Sequence, residues 1–153
     1  EYSLLYRNEG EETLPVTRAL GISLIAYAPL GRGLMTGQIA DPATLADTDS
    51  RKRHPRYSKD NLDHNRAQAQ KVEAIARRKG CTPAQLALAW VLAQGQDVIA
   101  IPGTKRKARL LENVGALGVT LTSADMAEIS SAVPPGAAKG TRYPEGQMAS
   151  LYI

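Results

Sequence analysis

The sequence of 153 residues contains no phenylalanine, a single cysteine and two histidines, and only 5% of its residues are aromatic. A lone cysteine excludes an internal disulfide and suits a reducing compartment, so we expect a cytoplasmic location. Scarce aromatic rings argue against a surface that stacks nucleic acid bases. The two histidines stand apart from any cysteine or carboxylate cluster, which argues against a metal site or a catalytic triad. No apolar run approaches the roughly 20 residues that a membrane span needs.

Hydrophobic residues make up 43% of the chain, which indicates a globular domain with a substantial core. The net charge of +4 and the pI of about 9.3 leave open a basic domain that binds nucleic acid. Such binding would fall steeply with salt, and the few aromatic residues make it the weaker alternative. The chain begins at Glu1, without methionine, directly in a run that resembles a strand. We therefore expect a piece of a larger protein.

Short apolar runs alternate with longer amphipathic segments along the chain. Strands are predicted at residues 2–6, 22–27 and 98–101, and helices at residues 9–20, 61–78, 82–95, 104–118 and 122–133, followed by an irregular tail over 137–153. Strands that alternate with helices indicate right-handed crossovers and a parallel sheet. Three strands would leave both edges open. The chain therefore forms either a small doubly wound sheet, capped in another way, or the last units of a closed barrel.

The most unusual feature is a cluster of cations at the start of the helix after the third predicted strand. Lys105, Arg106, Lys107 and Arg109 lie where the helix dipole already places partial positive charge, and the first acidic residue is Glu112. Each such cation should cost a few tenths of a kcal/mol, up to about 1 kcal/mol. A bound anion would reverse the sign, because free amide groups and cations would converge on one phosphate. The alternative is a solvated basic helix start.

A helical wheel at about 100° per residue separates an apolar side of this helix from a charged side. The apolar side consists of Leu110, Val114 and Leu117; the charged side consists of Lys105, Arg109 and Glu112, with Asn113 at its border. We expect the apolar side to be buried and the cations to face a ligand beyond the strand's carboxyl end. The deeper carboxylate and amide could hydrogen-bond an adenine or a ribose, and the planar Arg109 suits an adenosine 2′-phosphate.

A second candidate site follows the second predicted strand. The loop Gly31-Arg-Gly-Leu-Met-Thr-Gly37 lacks the Gly-Lys-Ser/Thr of nucleotide hydrolases and the glycine spacing of the dinucleotide fingerprint. Its glycines could let amide groups approach a pyrophosphate, or simply form a turn. Tyr27 could stack on a flat ligand or fill the interior. The basic run from Arg51 to Arg56 could contact phosphates, although a solvated, mobile loop is the default expectation.

These segments together resemble the C-terminal half of an aldo-keto reductase, in that family's order and spacing. The resemblance is carried by Glu1-Tyr-Ser-Leu-Leu5, Leu20-Gly-Ile-Ser-Leu-Ile-Ala-Tyr-Ala-Pro-Leu-Gly-Arg-Gly33, Thr82-Pro-Ala-Gln-Leu-Ala-Leu-Ala-Trp-Val-Leu92, Ile101-Pro-Gly-Thr-Lys-Arg106 and Glu112-Asn-Val-Gly-Ala116. The tail Gly140-Thr-Arg-Tyr-Pro-Glu145 is similar to that of the microbial and plant branch, which acts on aldehydes and ketones. Residues 1–153 would then be one part of a single barrel domain.

The resemblance implies an α/β fold, the (β/α)8 TIM barrel, of which this chain supplies the last three βα units and the tail. It also implies NADPH or NADP+, bound across the carboxyl face of the barrel. The implied cofactor contacts are Tyr27 with nicotinamide, Ala28, Pro29, Leu30 and Arg32 with the pyrophosphate, Gly103, Thr104, Lys105 and Arg109 with the 2′-phosphate, and Glu112 and Asn113 with adenine.

The family's catalytic Asp, Tyr, Lys and His would all lie in the first half of the barrel. No catalytic residue is therefore expected in this chain, which would bind cofactor and need the N-terminal half as its partner. The joined protein would reduce a small-molecule carbonyl substrate to an alcohol. The alternative is a non-catalytic, nucleotide-binding regulatory subunit on the same barrel. Neither nucleic acid nor membrane is an expected partner, and no metal is expected.

Overall fold

The protein is described here by a computed structural model, which covers residues 1–38 and 41–151. Two strands, β1 (Leu24–Ala26) and β2 (Val98–Ala100), pair in parallel. The helices are α1 (Asn8–Ala19), α2 (Lys59–Arg78), α3 (Pro83–Leu92), α4 (Lys107–Val114), α5 (Ser123–Ala132) and the short α6 (Glu145–Met148). Short 3₁₀ turns occupy Gly31–Thr36, Pro42–Thr44, Ser50–Arg53, Pro55–Tyr57 and Gly115–Gly118. The described part of the chain is thus a partial α/β fold.

Helix α3 forms the centre of the core, and its start was predictable. The Thr82 hydroxyl accepts the amide of Gln85, and the Gln85 side chain accepts the amide of Thr82 in return. This capping box, with Pro83 at the first helical position, satisfies two amides that a helix start otherwise leaves unpaired. The helix is apolar nearly all round, and Leu86 and Trp90 are almost completely buried. A helix with this composition is expected to be buried, and the low exposure of Leu86 and Trp90 agrees with that expectation.

The two strands place alternate side chains on opposite faces of the sheet. Ala26 and Val98 are buried on the helix-covered face. Ile25 and Ile99, which are partners in the parallel register, are 53% and 46% exposed on the other face. The sequence predicts burial on both faces, as for most parallel strands. In the described residues only one face is covered.

The predicted strand over residues 2–6 is wrong. Tyr2–Tyr6 instead forms a tight turn, in which Ser3 and Tyr6 exchange backbone hydrogen bonds of 2.9 and 3.2 Å. The Ser3 hydroxyl also accepts the amides of Leu5 and Tyr6 at 3.3 and 3.2 Å. A serine side chain that bonds to nearby amides offers the backbone an alternative to a strand. The apolar side chains are nevertheless buried, so the pattern predicted burial correctly and conformation wrongly.

Two further expectations differ from the structure. Helix α4 begins at Lys107, so Lys105 and Arg106 precede it, and none of its residues is buried. Leu110 and Val114 on its predicted inner side are each 54% exposed, because no other described element packs against that side. The tail is also not wholly irregular, since it contains α6. Residues 39–40 and 152–153 of the predicted loop and tail lie outside the described residues.

Candidate functional site

One cavity of about 440 Å³ lies between the turn that follows β1 and the segment that leads from β2 into α4. Both walls stand at the carboxyl ends of parallel neighbours, where α/β sheets bind ligands. The structure brings nine of the eleven predicted cofactor residues to this cavity. They are Ala28, Pro29, Leu30, Arg32, Gly103, Thr104, Arg109, Glu112 and Asn113. The two segments, 70 or more residues apart in sequence, therefore form one cavity of the size of a ligand site.

The remaining two predicted residues lie outside this cavity. Tyr27 borders a second, smaller cavity, and its hydroxyl accepts a 3.4 Å hydrogen bond from Arg142. Burial, together with Tyr143, raises the pKa of Tyr27 above its ordinary value. Lys105 is exposed, and Arg106 lines the cavity in its place. The helical wheel places Lys105 on the same side as Arg109, but residues 105 and 106 precede α4, so helical spacing does not apply to them and this expectation is wrong.

The turn after β1 has a strained backbone. Ala28 and Arg32 have φ values of +49° and +56°, and Gly33 in the same turn has +101°. The left-handed region is unfavourable for residues other than glycine, and such strain tends to cluster at ligand sites. The amide of Gly31 donates to the Ala28 carbonyl at 2.8 Å, and that of Gly33 to the Leu30 carbonyl at 3.0 Å. These two hydrogen bonds hold the turn in its conformation.

Charge on the α4 side of the cavity is positive, with one compensating pair. The first turn of α4 contains no acidic residue. Arg109 forms a 2.5 Å ion pair with Glu112 and also donates to the side chain of Gln38. The sequence suggests that the cations at the start of this helix have no local acidic partner. For Arg109 this expectation is wrong, because it pairs with Glu112. Gln85 of the α3 capping box donates to the Glu112 carbonyl at 3.1 Å, which fixes α4 on α3.

The C-terminal tail closes the other side of the glycine-rich turn. The Arg142 carbonyl accepts a 3.1 Å hydrogen bond from Arg32 and lies 2.9 Å from Nδ1 of His54. The Arg32 guanidinium stacks on the Tyr143 ring at 4.6 Å from its centroid. Burial and the neighbouring Arg32 lower the pKa of His54. A neutral imidazole can donate to that carbonyl from Nδ1.

The basic run from Arg51 to Arg56 is not the solvated loop that the sequence suggests by default. Arg56 is only 3% exposed, and it pairs at 2.6 Å with Glu1, whose side chain is fully buried. Arg51 lines the main cavity. Buried charges of this kind are tolerated when they are paired. The sequence leaves open that this run contacts phosphates, but a loop without periodicity does not reveal that Arg51 is the residue that lines the cavity.

Two classes of site find no support in the part of the chain that the structure describes. No group of three or more His, Cys, Asp or Glu side chains there is arranged to hold a metal ion. None of the helices in residues 1–38 and 41–151 combines the length and the apolar character that crossing a membrane demands.

Comparisons with known proteins identify the family. Residues 1–134 match the Aldo/keto reductase family, and the chain belongs to that family. It is 45% identical over 146 residues to probable aldo-keto reductase 1 of Glycine max. The match covers 95% of this chain and 42% of the relative.

Solved structures give the same result. A glycerol dehydrogenase of Gluconobacter oxydans is similar with a TM-score of 0.75 and 27% identity, over 88% of this chain and 42% of that one. A thermostable aldo-keto reductase, solved with the inhibitor epalrestat, is similar with a TM-score of 0.59 and 26% identity, over 86% and 38%. These neighbours are TIM barrels, and the chain spans about two fifths of the length of the relatives it matches.

Proposed function

We propose that this chain forms the NADPH-binding part of an oxidoreductase that converts aldehydes or ketones to alcohols. The main support is the single cavity that gathers nine of the eleven residues expected to contact the cofactor. Its volume lies within the roughly 300–1,000 Å³ of small-molecule sites. Arginine side chains on both walls suit a ligand that carries phosphates at two points.

Residues of the two walls would bind different parts of the cofactor. Gly103, Thr104, Lys105 and Arg109 would hold the 2′-phosphate, Glu112 and Asn113 the adenine, Ala28, Pro29, Leu30 and Arg32 the pyrophosphate, and Tyr27 the nicotinamide. The donor set fits, since guanidinium groups and exposed amides near a helix start are the usual partners of phosphate. Bound NADPH supplies the hydride for carbonyl reduction. The proton donor would come from the part of the barrel outside this chain.

We also propose that the rest of the barrel covers the exposed face of the sheet. Ile25 and Ile99 form an apolar pair on that face, and Ile101, two residues beyond Ile99, extends it at 50% exposure. Parallel sheets almost always have both faces covered. The relatives are more than twice as long as their match to this chain, so they contain the segments that would do so.

The 2′-phosphate assignment is tested by Arg109→Gln, with Lys107→Gln as the matched control. Both changes remove one cation from the first turn of α4, but only Arg109 lines the cavity. A hydrogen bond to a charged group is worth about 1.5–3 kcal/mol. Because Arg109 already pairs with Glu112, we expect the lower end of that range and a roughly tenfold rise in the NADP+ dissociation constant.

Calorimetric titration of the unsubstituted chain and both variants with NADP+ and NAD+ provides the measurement. Arg109→Gln should leave NAD+ affinity nearly unchanged, because NAD+ has no 2′-phosphate. Lys107→Gln should change neither affinity by more than about twofold. Equal weakening of NADP+ and NAD+ by Arg109→Gln would refute the assignment.

A further inference from the structure

Arg142 is a buried arginine in the C-terminal tail, and the proposed function gives it no role. Its side chain is 4% exposed, although residues 139–141 and 145–147 on either side of it in the tail are exposed. Arginine is almost never buried to this extent unless it is paired. The contacts of this one tail residue therefore indicate what the tail is attached to.

The turn at residues 2–6 and the start of α1 enclose the Arg142 guanidinium. Nη2 lies 3.5 Å from Oε1 of Glu9, and the guanidinium stands over the Tyr6 ring, 4.5 Å from its centroid. The Tyr6 hydroxyl donates to the same Glu9 carboxylate. An ion pair and a cation–π contact offset the cost of burying this charge. Because the guanidinium is enclosed by these groups, Arg142 acts on a ligand only through a neighbouring residue.

That neighbour is Tyr27. Nη1 of Arg142 donates to the Tyr27 hydroxyl at 3.4 Å. Burial, and then a hydrogen bond with the Tyr143 side chain, raise the pKa of Tyr27. Tyr27 and Arg142 both border the second cavity, of about 250 Å³, whereas the next residue, Ala28, borders the main cavity. The ring to which the proposed function assigns the nicotinamide is thus held at its hydroxyl by the tail.

The tail is itself fixed through its backbone. The Arg142 carbonyl lies within hydrogen-bonding distance of Arg32 and of Nδ1 of His54, at 3.1 and 2.9 Å. Gly140 has a φ of +87°, and a β-carbon there would stand 2.7 Å from the carbonyl carbon of Pro55. Only glycine allows the tail backbone to approach the Pro55 backbone this closely. The tail is therefore a fixed support for the Tyr27 ring.

We propose that Arg142 is a positioning residue, which holds the Tyr27 ring in the orientation in which it stacks on the nicotinamide. This inference rests on the proposed function and extends the cofactor site to the tail. A ring that is held before the ligand arrives does not have to be ordered when the ligand binds, which increases affinity. The contribution of Arg142 is therefore confined to ligands that carry a nicotinamide.

The first test compares Arg142→Gln with Lys139→Gln, a charge-matched change at an exposed position of the same tail that borders neither cavity. Calorimetry with NADP+ and with 2′-phospho-ADP-ribose, which lacks only the nicotinamide, isolates the nicotinamide contribution. We expect Arg142→Gln to weaken NADP+ about fivefold and to leave 2′-phospho-ADP-ribose within about twofold. Lys139→Gln should alter neither affinity. Circular dichroism of each variant checks that the fold is retained.

The second test uses Tyr27→Phe, which keeps the ring for stacking and removes only the hydroxyl that Arg142 holds. It leaves the ion pair of Arg142 with Glu9 in place, so it decides the question even if Arg142→Gln does not fold. We expect the same fivefold weakening of NADP+ alone. The double variant should bind NADP+ no more weakly than either single variant, because both changes remove the same contact.

Equal weakening of both ligands by Arg142→Gln would mean that the tail has a general structural role, and would overturn the inference. Unchanged NADP+ affinity in Tyr27→Phe would overturn it as well. The proposed function would survive either result, since the unsubstituted chain would still bind NADP+. Binding of neither ligand by the unsubstituted chain would overturn both.

Discussion

Replacement of Gly10 by alanine should destabilise the protein, although the same change in most helices is stabilising. Gly10 lies inside α1, where alanine is favoured over glycine by about 0.5–1 kcal/mol. Here the new β-carbon would stand 2.1 Å from Cδ2 and 2.6 Å from Cε2 of Tyr2. Such atoms normally approach no closer than about 3.5 Å. The ring would have to move by more than 1 Å.

Tyr2 has little freedom to move. It is 2% exposed, and its ring packs against Trp90 with 5.7 Å between centroids. Overpacking in a well-packed core costs about 1–3 kcal/mol. After subtraction of the helix-propensity gain, the expected net loss in the free energy of unfolding is about 1–2 kcal/mol. For a chain of this size, that loss lowers the melting temperature by roughly 3–6 °C.

Urea denaturation monitored by circular dichroism measures this change, and Gly146→Ala serves as the control. Gly146 lies in α6 with no heavy atom within 4 Å of its β-carbon position, so its replacement should be neutral or slightly stabilising. In a Tyr2→Ala background the clash is absent, and Gly10→Ala should become neutral or stabilising there. If the single variant Gly10→Ala is as stable as the unsubstituted chain, the clash with Tyr2 is not the reason for glycine at this position.

Two other changes test the elements that support the site. Thr82→Ala removes the capping box of α3 and should reduce the free energy of unfolding by about 1 kcal/mol, seen as a lower urea midpoint with an unchanged slope; an unchanged midpoint would contradict it. Hydrogen bonds from Lys79 and Thr122 lower the pKa of Asp125 from 3.8 to about 2. Because that pKa is depressed in the folded state, the stability it contributes is present above pH 4 and is lost as the pH falls towards 2. Thermal melts at intervals over this range should show a smaller decline for Asp125→Asn, whereas an identical decline would show that Asp125 does not contribute.

Local chemistry made much of the fold predictable. The capping residues Thr82 and Thr122 mark the starts of α3 and α5. Their hydroxyls accept backbone amides of the first helical turn, which have no partner within the helix. Strands β1 and β2 follow from short apolar runs bounded by glycine. Residues 2–6 show the limit of this approach, since an apolar run is equally compatible with a buried turn. The Ser3 hydroxyl accepts two backbone amides within this run, which favours the turn over a strand. The serine at this position is visible in the sequence and could have been used as a signal for a turn.

The predicted site residues fall into two segments of the chain whose proximity follows from topology. The carboxyl ends of adjacent parallel strands lie at the same edge of a sheet, so the segments after β1 and β2 had to meet if the strands paired. The inward position of Arg51 required a different kind of information. It depends on the Asp49 cap and on the close approach to Gly33, which are tertiary features of a long loop. Arg51 and Arg53 are the same residue type in the same basic run, so residue type alone could not show that only Arg51 lines the cavity.

The cavity and the exposed sheet face differ in what each needs from the rest of a barrel. Residues of this chain alone form the described walls of the cavity, and hydrogen bonds within the chain, such as that from Gln85 to Glu112, hold those walls in place. The face that carries Ile25 and Ile99 has no described covering. Under the proposed function, we therefore expect the nucleotide site to form without the rest of the barrel. We expect carbonyl reduction to require the residues that cover Ile25 and Ile99, because the proton donor would come with them.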